Sequence, residues 1–222
     1  MLDIATPTLA CRRYGTPAVV LGAGQRTTPE LIASAAAHGV EVVKRDSGGG
    51  AVMTGPWMLG FSLRLAPSDP ATEAAPLEIF RLLGAACRDV LGELGFAAAL
   101  ATDADVARSI ERARSMNLQW ACFGTVSHGE LVDPAGRKLL GLAQCRRRGW
   151  VLLEGGLLLG EPDWALLCEL FGKPARAGLA LREATAPLAK RDGAEFDLKA
   201  FDAGLRRGVA RYLSRPRGIR VL

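Results

Sequence analysis

The sequence predicts one α+β domain over residues 1–222, with a mixed, largely antiparallel sheet flanked by helices. Strand-like segments arrive in runs instead of alternating strictly with helices, which disfavours a doubly wound sheet. With 222 residues, 49% of them hydrophobic, the chain can bury one substantial core. No internal repeat or low-complexity linker divides it.

The elements follow in order. "TPAVVLGAG" reads as a short strand ending at glycines, and "TPELIASAAAHG" as a helix. Thr28 is placed to cap that helix, Pro29 to open it and Gly39 to stop it. The β-branched segment at 40–45 reads as a strand. After a glycine run, Leu59, Phe61, Leu63 and Leu65 alternate with other residues as in a half-buried strand. Residues 68–76 read as a loop. Apolar residues then recur at helical spacing over 77–94, up to Gly95. The charged, alanine-rich stretch 102–117 fits a short helix or a loop equally well. "LQWACFGTV" and "GELVD" read as strands, with a turn at 134–136. "RKLLGLAQCRR" and "WVLLEGGLLL" form two antiparallel strands around Arg148 and Gly149. "PDWALLCELFG" and "FDLKAFDAGLRRGVARYLSR" are helices, the second ended by Pro216.

Composition narrows the function classes. The five cysteines (Cys11, Cys87, Cys122, Cys145, Cys168) have no metal-ligand spacing, and their odd number disfavours a full disulfide framework. A reducing cytoplasm suits them. Two histidines, His38 and His128, disfavour a His-based zinc site. No apolar stretch approaches the roughly 18 residues of a membrane span, and the start lacks the basic head and apolar run of a signal peptide. The formal net charge is +5, with clusters at Arg146, Arg147 and Arg148 and between Arg206 and Arg220. Such clusters form a solvated face or dock an acidic partner. No nucleic-acid motif accompanies them.

Two short stretches carry the chemistry. Gly48, Gly49 and Gly50 remove three Cβ atoms in a row, between Arg45 and Ser47 on one side and Ala51 and Val52 on the other. Such a run is either a turn or bulge between strands, or a cradle of N–H groups for a phosphate or carbonyl oxygen. It is neither a P-loop nor a dinucleotide fingerprint. In "GRKLLGLAQ", Lys138 stands in an apolar strand beside a turn, with Gly141 and Ala143 keeping the strand surface low. A lysine there either snorkels to water or lies in a partly exposed cleft, where its ammonium stabilises charge developing in acyl transfer. Glycine run and lysine make chemical sense together only if they meet. The strands at 40–45 and 137–144 are therefore expected in one central sheet.

Taken together, "RDSGGGAVMTGPWMLGFSL", "GRKLLGLAQCRRRGWVLLEGGLLL" and "PAVVLGAGQ" resemble the signature segments of the lipoate–protein ligase A family, within the biotin/lipoate ligase and octanoyltransferase superfamily. The resemblance covers most of residues 17–172. It implies the biotin/lipoate ligase type of catalytic domain. It implies a catalytic role for Lys138, an acyl and adenylate site bordered by Arg45, Ser47, Gly48, Gly49, Gly50 and Ala51, and an acyl tunnel lined by Gly141 and Ala143. Thr54 stands where members often carry histidine, and Leu153, Glu154 and Gly155 where they carry a histidine-rich stretch. "HGELV", with Gly129 and Glu130, is the segment nearest to the ligases' asparagine–aspartate pair. No metal ligand is assigned.

The reading the resemblance favours is a lipoate–protein ligase-like enzyme. It would attach lipoate or a related acyl group to a lysine of an acidic carrier domain through an acyl-adenylate, using ATP and Mg²⁺. The alternative is an octanoyl or lipoyl transferase that needs no nucleotide, with Cys122 or Cys145 as candidate nucleophiles; a third reading is a non-catalytic acyl- or carrier-binding protein. Lipoate or octanoate is the expected acyl ligand. The C-terminal accessory domain of long ligases is expected to be absent, with a separate polypeptide able to supply it. Nucleic acid and membrane are not expected partners, and the expected compartment is the cytoplasm.

Overall fold

The computed structural model describes residues 7–66, 68–147, 150–188 and 196–214. In chain order the elements are β1 (Thr8–Arg13), β2 (Ala18–Leu21), α1 (Pro29–Ala37), β3 (Glu41–Lys44), β4 (Val52–Thr54), β5 (Met58–Leu65), α2 (Pro76–Glu93), β6 (Ala99–Leu100), α3 (Asp103–Met116), β7 (Leu131–Val132), β8 (Lys138–Arg147), β9 (Trp150–Leu158), α4 (Trp164–Leu170), α5 (Ala175–Ala184) and α6 (Leu198–Leu213). The fold is α+β and its strands are largely antiparallel, as the sequence predicts.

The strands form two sheets, not one. A six-stranded antiparallel sheet has the order β1-β5-β9-β8-β7-β6, and a three-stranded sheet has the order β3-β2-β4. The strand expected at 40–45 is therefore not in the sheet that holds Lys138. The reason is local. Helix α1 returns the chain so that β3 pairs parallel to β2, while β4 pairs antiparallel to the other edge of β2. The turn at Gly55 to Trp57 then carries the chain across to β5 in the large sheet.

Side-chain alternation assigns the faces of the large sheet. Leu59, Phe61, Leu63 and Leu65 of β5, with Val151, Leu153 and Leu157 of β9, pack on α2 and α6 through Leu83, Leu91, Phe201 and Leu205. The opposite face, which carries Gly60, Gly141, Ala143, Glu154 and Gly156, turns toward the small sheet. Around the small sheet, Val19, Leu21 and Met53 join Leu31 of α1, Trp164 and Leu167 of α4, and Leu181 of α5 in a second core cluster.

Three further differences from the sequence reading have physical causes. Residues 102–117 are a helix: Thr102 and Asp105 form a capping box, and Asn117 closes the helix in the left-handed region at φ 52°. "LQWACFGTV" is not a strand but a short 3₁₀ turn, Cys122–Gly124, with a single parallel bridge between Ala51 and Ala121. Helix α5 has an inward face of Ala177, Ala180, Leu181 and Ala184, too small-sided to stand out as a periodic apolar stripe. The turn at Arg148 and Gly149 and the stop at Pro216 lie outside the described residues.

Candidate functional site

A cavity of about 370 Å³ lies between the two sheets. The small sheet contributes Val20, Val43, Lys44, Val52 and Thr54, together with Arg45 and Asp46 just after β3. The large sheet contributes Met58, Gly141, Ala143, Glu154 and Gly156, and Cys122 and Phe123 enter from the 3₁₀ turn. Gly60, Gly156 and Gly141 are register partners across β5, β9 and β8, so a bare glycine row crosses the sheet at this point. Room over that row is taken by Tyr14 and Met58, whose side chains crowd Gly60 and Gly156.

The glycine run forms a loop beside this cavity. The Arg45 guanidinium donates to Gly48 O at 2.8 Å and Gly50 O at 2.9 Å, and so closes the loop from inside. Gly49 has φ +97°, which favours glycine. A Cβ on Gly50 would lie 2.5 Å from Trp120 O, so the bare backbone there admits another stretch of this chain. Ala51 N donates to that same oxygen at 2.8 Å, and Cys122 N donates to Ala51 O at 2.8 Å. Gln25 adds to the anchor, accepting from Gly22 N at 3.0 Å and donating to Trp120 O at 3.1 Å. The sequence from Gly22 to Ala51 thus fixes the position of Cys122.

Ser47, fully buried, donates its hydroxyl to a Glu154 carboxylate oxygen across the gap between the sheets. Lys138 is 1% exposed, not the partly exposed cleft lysine that the sequence suggests. Its ammonium donates to Cys122 O and to Thr125 O, each at 2.9 Å, and pairs with Glu130 Oε2 at 2.7 Å. The Phe123 ring lies 5.0 Å from the nitrogen. Burial is forced by the register of β8, which sends this side chain under the 3₁₀ turn, where two carbonyls and a carboxylate await it.

Of the residues singled out in the sequence, Arg45, Gly141 and Ala143 line the cavity. Ser47 stands behind it, reaching it through Glu154. Gly48 and Gly49 are exposed on the loop, Gly50 and Ala51 pack on residues 120–122, and Lys138 lies beneath Cys122 and Phe123. Sequence reasoning gave no site role to Glu130, Glu154 or Gln25. The available signal was a carboxylate in an otherwise apolar strand: Glu154 in "WVLLEGGLLL" and Glu130 in "GELVD".

The cysteines separate clearly. Cys122 is half-buried on the cavity wall. Cys11, on β1, is pushed up to about 12 by burial and by its hydrogen bond to Asp202. Burial also raises Cys87 and Cys168. Cys145 is buried on β8.

A magnesium ion needs oxygen ligands, one or two of them carboxylates. Glu130 is spent on Lys138 and on two backbone N–H groups, Glu154 accepts from Ser47, and Asp46 pairs with Arg147 at 3.2 Å. Among the described residues no group of three His, Cys, Asp or Glu side chains could hold a metal ion. The described residues thus offer no dedicated side-chain cage for a cation.

Solved lipoate–protein ligases share this fold. A bipartite lipoate protein ligase of an archaeal lipoylation system, from Thermoplasma acidophilum, is similar with a TM-score of 0.65 at 21% identity, over 93% of this chain and 71% of that one. A lipoate-protein ligase A bound with ATP is similar with a TM-score of 0.64 at 21% identity, over 93% and 72%. The chain belongs to the lipoyl protein ligase A/B catalytic domain family, whose description it matches over residues 4–185. Among curated proteins it is 34% identical to the octanoyltransferase LipM of Exiguobacterium sp. over 165 residues, 72% of this chain and 57% of that protein. It is 32% identical to the octanoyltransferase LipM of Kyrpidia tusciae over 168 residues, 74% and 58% respectively. The chain thus spans less than two thirds of the length of these curated relatives.

Proposed function

We propose that this protein is an octanoyl or lipoyl transferase that carries the acyl group on Cys122 and delivers it to a lysine of a carrier domain. The observation that carries this reading is the placement of Cys122: among the described residues it is the cysteine on the cavity wall, with its own N–H and C=O both tied down. The likeness to octanoyltransferases supports it.

The chemistry proceeds in two exchanges. The Cys122 thiolate attacks the carbonyl of an acyl thioester; a new C–S bond forms, the old one breaks, and the donor leaves as a thiolate that takes up a proton. A neutral carrier lysine then attacks the Cys122 thioester. The amide C–N bond forms, the C–S bond breaks, and the amine proton passes to the departing sulfur. The chain's own part is to hold the sulfur still and to shelter the acyl tail. At about 370 Å³ the cavity is at the small end of ligand pockets, and Val20, Val52, Met58, Leu142 and Leu152 give its mixed wall an apolar part for the tail. Arg12, Lys44 and Arg45 on the same wall suit an acidic carrier domain. A free Cys122 thiol needs a reducing compartment, which suits the cytoplasm.

The ligase reading, in which lipoate is activated with ATP, draws on the structural likeness to an ATP-bound ligase. Against it stands the commitment of Glu130 to Lys138. Incubation with apo-carrier and an octanoyl thioester, without nucleotide, separates the two. Gain of an octanoyl mass on the carrier supports the transferase. Modification only with free lipoate plus ATP overturns it.

A further inference from the structure

We infer that Glu154 selects the acyl tail: the cavity favours a chain whose far end carries a hydrogen-bond donor, such as a hydroxyl or a thiol, over the same chain ended by a methyl, and disfavours a chain ended by a carboxylate. This rests on the reading of the cavity as the acyl site and adds the class of tail it prefers.

The two walls differ. On the small sheet, Val43, Val20 and Val52 are register partners and line the cavity as one apolar row. On the large sheet, Ser62, Glu154 and Ala143 are register partners, one row beyond the glycines. The neighbours of Glu154 in its row are short, so its carboxylate stands clear of them on the cavity wall. Ser47 holds it there. That residue is fully buried, its hydroxyl donates to Glu154 Oε2, and its own carbonyl accepts from Ala23 N at 2.9 Å.

Glu154 has acceptor capacity to spare. A carboxylate offers about four lone-pair sites on its two oxygens. Among the described residues its hydrogen-bond donor is the Ser47 hydroxyl, on Oε2, and no lysine or arginine pairs with it. Nearby cations are engaged elsewhere. Arg45 closes on Gly48 O and Gly50 O, Arg12 lies over the Tyr14 ring at 5.0 Å, and Arg147 pairs with Asp46.

The position suits the end of a tail. The Phe123 ring, next in sequence to Cys122, lies 3.3 Å from the place of a Cβ on Gly141. From Gly141 to Glu154 is two residues along β8 and one strand across, roughly 8 Å from the rise and spacing of strands. An extended octanoyl chain covers that distance. A methyl end pressed on the carboxylate strips water from it and returns no bond. A hydroxyl or thiol end donates to the spare oxygen, and a second carboxylate adds like-charge repulsion. One acceptor placed in a partly apolar pocket therefore sorts tails by their end group.

The test uses the full chain as wild type and two variants. Glu154→Gln keeps the shape of the side chain, and Ser47→Ala/Glu154→Leu removes the bridge from both ends, so that no buried hydroxyl loses its acceptor. Calorimetry measures the affinity of three unreactive amides: octanamide, 8-hydroxyoctanamide and 7-carboxyheptanamide. In the wild type the hydroxyl should tighten binding by about 10-fold over octanamide, the low end for a hydrogen bond to a charged group, and the carboxylate end should weaken it. Glu154→Gln should remove most of the penalty on the carboxylate end, and the double variant should bind octanamide tightest. Equal wild-type affinity for octanamide and 8-hydroxyoctanamide, or an unchanged pattern in a folded variant, would overturn the inference while leaving the acyl cavity in place. Binding of none of the three would refute the acyl cavity itself, and the inference with it. The role of Cys122 is judged apart from these affinities, by the turnover of Cys122→Ser.

Discussion

Trp120 O occupies the place a side chain on Gly50 would need: a Cβ there would lie 2.5 Å from it, while Ala51 N donates to the same oxygen at 2.8 Å. The third glycine of the run is thus bare to admit the segment that leads into Cys122. Gly50→Ala is expected to destabilise by about 1–3 kcal/mol, the usual cost of overpacking, and to slow acyl transfer by shifting Cys122. Gly48→Ala is the contrast, since nothing lies within 4 Å of its Cβ position. Urea unfolding of both checks this; equal stability of the two variants would contradict the close-approach account.

Removing the lysine leaves Glu130 buried without its cation. Lys138→Ala is therefore expected to destabilise by about 3–5 kcal/mol, as for a broken buried ion pair. The combined change Glu130→Gln/Lys138→Met is expected to cost less than the sum of its two single changes. A double-mutant cycle by chemical denaturation measures this, and strict additivity would show the pair to be uncoupled.

Thiol chemistry should single out Cys122. Cys11, held near 12, carries almost no thiolate at pH 8, and Cys87 and Cys168 are raised in the same direction. Brief alkylation of the native protein at pH 8, followed by peptide mass analysis, should label Cys122 first. Labelling of Cys11 at the same rate would mean that β1 does not shield it.

Acid should loosen the start of α3. The Thr102 hydroxyl, then the Thr102 N–H, bonds the Asp105 carboxylate and lowers its pKa, with Arg108 adding to the effect. A depressed carboxylate contributes stability that is present above its unfolded pKa of about 3.9 and is lost as pH falls through the folded value. Asp105→Asn should therefore be less stable than the wild type at neutral pH and converge with it as the acid limit is approached. A stability difference that does not change with pH would assign the loss to packing alone.

Much of this was legible from residues. The caps at Thr28 and Gly39, the alternation in β5 and the paired strands β8 and β9 are local patterns, and local patterns survive folding. What was not legible was the partition into two sheets. It depends on which neighbour each short strand takes, and Val42 and Val43 carry no mark of that choice. For the candidate site, the glycine run and Lys138 stood out, but not their partners. Trp120 acts through a backbone oxygen, which no side-chain pattern announces, and nothing in the sequence pairs Glu130 with Lys138, eight residues away across the β7–β8 turn. "WACFG" reads as a strand from its apolar and aromatic residues; it is a 3₁₀ turn whose flanking carbonyls, on Cys122 and Thr125, both accept from the Lys138 ammonium.

The central claim is that the acyl group rests on Cys122. The most direct measurement is intact mass of the protein after brief exposure to an octanoyl thioester without carrier and without nucleotide, then again after hydroxylamine or apo-carrier is added. The account predicts one octanoyl adduct, located on Cys122, absent from Cys122→Ala, released by hydroxylamine and passed to the carrier lysine. A carrier that becomes modified while the protein shows no adduct, or an adduct that persists in Cys122→Ala, would contradict it.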